Sequence, residues 1–95
     1  MRPTEIRILA KPYTVAPMVC GSGMGAADHR TQIIEIGAGQ GHEQERDTLL
    51  HEVIHAIGYA LHADLEERQV HALSAGLFAV LRENPEFVEW LTSNA

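Results

Sequence analysis

Apolar and polar positions divide the chain into a front half patterned for strands and a back half patterned for helices. Glu5-Ile6-Arg7-Ile8-Leu9-Ala10 alternates at its start, the period-two signature of a half-buried strand. Lys11-Pro12 marks a turn or an edge, because proline cannot donate to a central ladder. Tyr13-Thr14-Val15-Ala16 resumes strand-type residues before Pro17. Residues 21–28 are rich in glycine and read as a flexible loop, without the Gly-Lys-Ser/Thr ending of a phosphate loop. Residues 31–36 give the clearest strand, with Gln32, Ile34 and Ile36 alternating against Thr31, Ile33 and Glu35. Glycines at 37, 39 and 41 end it. If this strand borders the helix that follows, its edge can hold an extended peptide.

From residue 42 the period changes. Leu50, Val53, Ile54, Ile57 and Leu61 recur at three and four, so a helix is expected from 42–44 to about Leu61. Glu43, Glu45 and Asp47 suit the positive end of its dipole. Gly58, inside it, costs up to about 1 kcal/mol against alanine and points to close packing there. His62-Ala63-Asp64 breaks the pattern, and Asp64 followed by Glu67 fits an acidic capping box. The helix it opens spans about 65–82, with Val70, Leu73, Leu77, Val80 and Leu81 on its core face. Asn84-Pro85 stops it, and a short third helix over 86–91 covers the core with Phe87, Val88, Trp90 and Leu91. The expected fold class is α+β: a small sheet of about three strands, then two long helices and a short one. Residues 1–95 form one domain, with no repeat or linker.

Composition narrows the partners. Thirteen acidic against seven basic residues give a formal charge of −6, which argues against a nucleic-acid surface. No apolar run approaches the ~20 residues of a membrane span. The first residues lack a signal-peptide pattern. The single Cys20 cannot form an internal bridge, and nothing around it lowers its pKa, so it reads as a small apolar residue in a reducing, cytoplasmic setting.

The candidate chemistry lies in His51-Glu52-Val53-Ile54-His55, an H-E-x-x-H motif within the first expected helix. Side chains four apart stack on one helix face, so His51 and His55 can point two imidazoles at one metal ion. Zn2+ suits such a site because it takes nitrogen and carboxylate ligands and keeps a position open for water. The ion lowers the pKa of that water, and Glu52, one step round the helix, can take its proton as general base. A third ligand is required. In the extended pattern H-E-x-x-H-x-x-G-x-x-H it would fall at Leu61; His62 is one residue late, about 100° away unless the helix breaks. Glu66 and Glu67 are the alternatives. Glu66 lines up with Val70, Leu73 and Leu77, the face expected to meet the motif helix, where a carboxylate is costly unless bound. Glu66 is therefore the favoured ligand, with Glu67 as cap or supporting partner. His71 reads as an exposed helix histidine, with metal or oxyanion binding as the alternative. Tyr59, four residues after His55, can face the site or pack.

Thr48-Leu49-Leu50-His51-Glu52-Val53-Ile54-His55-Ala56-Ile57, then Glu66-Glu67, then Val80-Leu81-Arg82-Glu83-Asn84-Pro85, together resemble small phage- and prophage-encoded zincin-like proteins, distant relatives of the ImmA/IrrE and SprT-like metallopeptidases. The resemblance spans residues 43–91, about half the chain. It implies a minimal gluzincin-like zincin: a small sheet, the metal helix, and a second helix supplying a glutamate. By position it makes His51 and His55 ligands, Glu52 the base, and Glu66 or Glu67 the third ligand. The chain departs from the longer relatives in lacking a DNA-binding or regulatory module. The expected function is a zinc-dependent metallopeptidase cutting a host or phage protein in the bacterial cytoplasm. The competing expectation is an inactive zinc-stabilised module that binds a protein partner, as a monomer or a homodimer.

Overall fold

The computed structural model describes residues 1–19, 21 and 23–94. Cys20, read above as a small apolar residue, lies outside them. The architecture is α+β. Strands β1 (Glu5–Ile8), β2 (Lys11–Pro17), β3 (Gly25–Asp28) and β4 (Ile33–Ile36) precede helices α1 (His42–Ala60), α2 (Glu67–Glu83) and α3 (Pro85–Thr92). The sheet order is β1-β2-β4-β3, with β2 and β4 parallel and both outer pairs antiparallel.

Four strands stand where three were expected. β3 falls within the glycine-rich stretch read as a loop, because Gly25-Ala26-Ala27-Asp28 contains no branched or aromatic residue to signal a strand. Its pairing comes from β4, which offers it a free edge. β1 is shorter than its alternation suggested. Leu9 and Ala10 both take positive φ, 50° and 72°, as the two central residues of a tight hairpin turn require. Pro12 belongs to β2, at a position that β4 does not reach; β2 meets β4 only from Thr14 onward.

Alternation in β2 and β4 turns Tyr13, Val15, Ile34 and Ile36 to one side, where they join Ile8 and Ala56 in the core, with Leu49, Val53 and Ile57 packed against it. Helix α1 thus lies across one face of the sheet. Its expected apolar stripe is divided between two neighbours. Leu49, Val53, Ala56 and Ile57 serve the sheet, whereas Ile54 is buried outside that cluster, on the side turned towards α2. Leu61 ends up exposed. The helix closes in a Schellman turn: Ala63 N–H donates to Gly58 O at 2.9 Å, His62 N–H to Tyr59 O at 3.3 Å, and His62 adopts φ 55°. Gly58 is close-packed as its cost suggested, since a Cβ there would lie 3.2 Å from Leu65 Cδ1.

Helix α2 packs on α1 and α3 and touches no strand among the described residues. It starts two residues later than expected. The N-cap is Glu66, whose N–H donates to Gln69 Oε1 at 2.8 Å in a capping box, and not Asp64. The buried face also differs. Val70 and Ser74 are fully buried, with Phe78 and Leu81 partly covered, while Leu73, Leu77 and Val80 are exposed. Helix α3, expected to cover the core, buries no residue.

Gly25 is the position where β3 and α1 meet most tightly. A Cβ there would stand 2.7 Å from Thr48 Cγ2 and 3.1 Å from Glu35 O. Gly25→Ala should therefore destabilise the protein by about 1–3 kcal/mol, as overpacking does. Gly76→Ala, in an α2 position with nothing within 4 Å, should instead stabilise it by up to about 1 kcal/mol. Urea denaturation of both variants checks the contrast.

Candidate metal centre

Helical spacing on α1 brings the His51 and His55 rings to a centroid separation of 4.9 Å. The third group comes from the first residue of α2. Glu67 Oε1 lies 2.5 Å from His51 Nε2, and Glu67 Oε2 lies 2.9 Å from His55 Nε2. One ligand atom from each residue fits within 4.8 Å of the others, a group that can hold a metal ion. Two imidazole nitrogens and a carboxylate oxygen suit a divalent first-row metal and leave coordination positions for other ligands. The histidine side chains are mostly covered, whereas that of Glu67 is 70% exposed, so the group opens to solvent on the α2 side.

The carboxylate that joins the two histidines is that of Glu67, one residue on from the favoured Glu66. Taking 100° per residue, Glu67 shares the side of α2 that holds Val70, Ser74 and Phe78, the residues packed inward. Glu66 shares the side of Leu73 and Leu77, which is exposed. The expectation for Glu66 rested on taking the Leu73–Leu77 row for the packed face. Glu66 is the N-cap, and its carboxylate lies 3.8 Å from Arg68 Nη2. His62 is also outside the group, because the turn that ends α1 places it in the left-handed C′ position.

Glu52 sits between α1 and the sheet, buried to 8% exposure. Burial pushes its carboxyl above the ordinary carboxylate value; the charges of His51 and His55 pull the other way, and Glu67 adds to the rise. The small residue beside it makes this place: a Cβ on Gly25 would come within 3.4 Å of Glu52 Oε2. For Glu67, desolvation acts upward, but the hydrogen bonds and charges of His51 and His55 prevail and hold it below its ordinary value.

A cleft of about 430 Å³ runs past this group, between Met24 and Gly25 on one side and Glu67 and His71 on the other, over Thr48 and Glu52. His71 is exposed, as expected, yet its ring centroid lies 6.3 Å from that of His51, at the cleft wall. The strand that borders the cleft is β3. β4, to which an exposed edge was assigned, is enclosed between β2 and β3.

His29 was not foreseen. It follows β3, accepts or donates a 3.3 Å hydrogen bond between Nδ1 and the Tyr13 hydroxyl, and stacks on Tyr59 at 4.6 Å between centroids. Its pKa is lowered by burial and by the positive charge of His55, against the pull of Asp28. Tyr59 thus packs on His29 rather than standing free. Only the Asp28-His29 turn hinted at this, since Asp28 Oδ1 accepts from the N–H groups of Arg30 and Thr31 and fixes the loop. Comparison with family models, curated proteins and solved structures gave no match.

Loss of Glu67 should weaken metal binding by about a hundredfold or more, beyond the cost of losing a group that merely supports a ligand. Glu67→Gln and Glu66→Gln, compared by zinc titration calorimetry, should separate: the first fails, the second binds normally. A second expectation follows from Glu52. Its raised pKa means that the fold favours the protonated carboxyl. That contribution is fully present below the ordinary value of 4.5 and is lost as pH rises through the folded value. In chelator, Glu52→Gln should therefore raise the melting temperature at neutral pH, with the gain vanishing in acid.

Proposed function

We propose that the chain is a zinc-dependent peptidase of the minimal zincin type, acting on a host or phage protein in the bacterial cytoplasm. The observation that carries this reading is the joining of both H-E-x-x-H histidines with Glu67, beside a buried Glu52 and an open cleft. His51, His55 and Glu67 would hold the ion. Zinc bound there would supply Lewis acidity for the attack of water on a peptide carbonyl.

Glu52 supplies the proton traffic. Its carboxylate takes a proton from water as the oxygen adds to the carbonyl carbon. The same carboxyl gives that proton to the nitrogen as the C–N bond breaks, so the products are a carboxylic acid and an amine. A raised pKa suits both halves of this exchange, because the group must release the proton as readily as it accepts it. β3 is an edge strand beside the cleft, and its unpaired side can take an extended peptide as a further strand. His71 lines the far side of the cleft, and in this reading it donates a hydrogen bond to the carbonyl oxygen of the peptide.

Glu52→Gln should keep zinc and lose at least about a hundredfold in cleavage rate, the usual share of a general base. The assay is zinc-loaded protein against a proteome-derived peptide library read by mass spectrometry. Full-rate cutting by the variant contradicts the role of Glu52. A zinc-loaded wild type that cuts nothing in the library favours the inactive, zinc-stabilised module.

A further inference from the structure

We propose that α2 and α3 together form a docking surface for a Lys/Arg-bearing amphipathic helix of a partner protein. Leu73, Leu77 and Val80 fall within about 60° of one another round α2, a row that would ordinarily lie in a core. They are 44%, 42% and 44% exposed, while the neighbouring row buries Ser74 completely. Single exposed leucines are unremarkable, but a row at helical spacing marks an interaction surface. One residue, Asn84, separates it from α3, where Phe87, Trp90 and Leu91 are also exposed and Trp90 reaches 73%. Among the described residues, α3 touches no element but α2 and buries no residue of its own. An eight-residue helix is marginal without packing, so α3 gains most from a partner laid on it.

Charge chooses the occupant. Glu83, Glu86 and Glu89 recur every three residues along this segment, and no Lys or Arg occurs from 83 to 94. None of the three has an ion-pair partner among the described residues. The two arginines of α2 are engaged elsewhere: Arg82 pairs with Glu43 at 2.5 Å, and Arg68 stands 3.8 Å from Glu66. Glu86, Glu89, Trp90 and Ser93 bound a recess of about 450 Å³. A lysine or arginine entering it would meet two carboxylates and the face of an indole, which together favour a cation. A second copy of this chain would instead set the three glutamates against their own equivalents on a molecule of charge −6. Anionic lipid meets the same repulsion. An apolar helix face flanked by basic residues satisfies both the leucine row and the carboxylates.

Trp90 is the only tryptophan, so its emission reports the surface directly. The probe is a synthetic Leu/Lys amphipathic peptide of about 18 residues without aromatics, titrated into the full chain at about 150 mM salt with and without chelator. The expected result is a saturable blue shift at one peptide per chain, unchanged by chelator, with a Leu/Glu peptide inert. Leu77→Asp, at an exposed site that does not carry the fold, should weaken binding by about tenfold or more. Glu86→Lys/Glu89→Lys should reverse the preference towards the Leu/Glu peptide. Absence of saturation overturns the proposal, as does binding that both variants leave unchanged. A concentration-dependent dimer in sedimentation, abolished by Leu77→Asp, would make a second copy the occupant and overturn it. A blue shift with phosphatidylcholine vesicles in place of the peptide would do so in favour of lipid.

Discussion

The carboxylate of Glu67 meets both Nε2 atoms of His51 and His55, and this contact ties the start of α2 to α1. Imidazoles four apart on one helix converge by geometry alone, but a third donor must be brought from another element. Here it is the opening residue of α2, held in place by the capping box that fixes where the helix starts. Without metal, two imidazole N–H groups can donate to one carboxylate. With metal, the same nitrogens must be unprotonated, so binding competes with protons and weakens in acid. Without metal the three groups satisfy one another, and an ion would take up the same donor atoms, so a small fold can keep the group assembled.

Glu52 depends on a different constraint. Its position on α1 turns it towards the sheet rather than towards α2, into a space that exists because Gly25 on β3 lacks a side chain. Strand, helix and carboxylate are therefore coupled: the close approach of β3 buries Glu52, and burial raises its pKa. Among the described residues, the same strand has no partner on its outer edge, beside the cleft. The burial of this carboxyl and the position of the edge strand beside the cleft arise from one packing contact.

Much of this was legible where the physics is local. The period of three to four residues located α1, and the H-E-x-x-H spacing gave two of the three donors and Glu52. Strands β2 and β4 were visible because Tyr13, Val15, Ile34 and Ile36 alternate and branch. What was not legible depends on neighbours far along the chain. β3 has no strand propensity of its own and is a strand because β4 pairs with it. On α2, hydrophobicity pointed to the Leu73–Leu77–Val80 row as the packed face, and that choice favoured Glu66 over Glu67. The structure buries Val70, as expected, but together with Ser74, and leaves Leu73, Leu77 and Val80 outside. His29 reaches Tyr13 and Tyr59 only through the fold.

X-ray absorption at the zinc edge, on protein carrying one equivalent of the ion, tests the central claim most directly. The account requires one tightly held zinc per chain, bound by nitrogen and oxygen only, with the scattering signature of two imidazoles. Failure to retain zinc, a sulfur ligand, or a spectrum that stays the same in His51→Ala would contradict it.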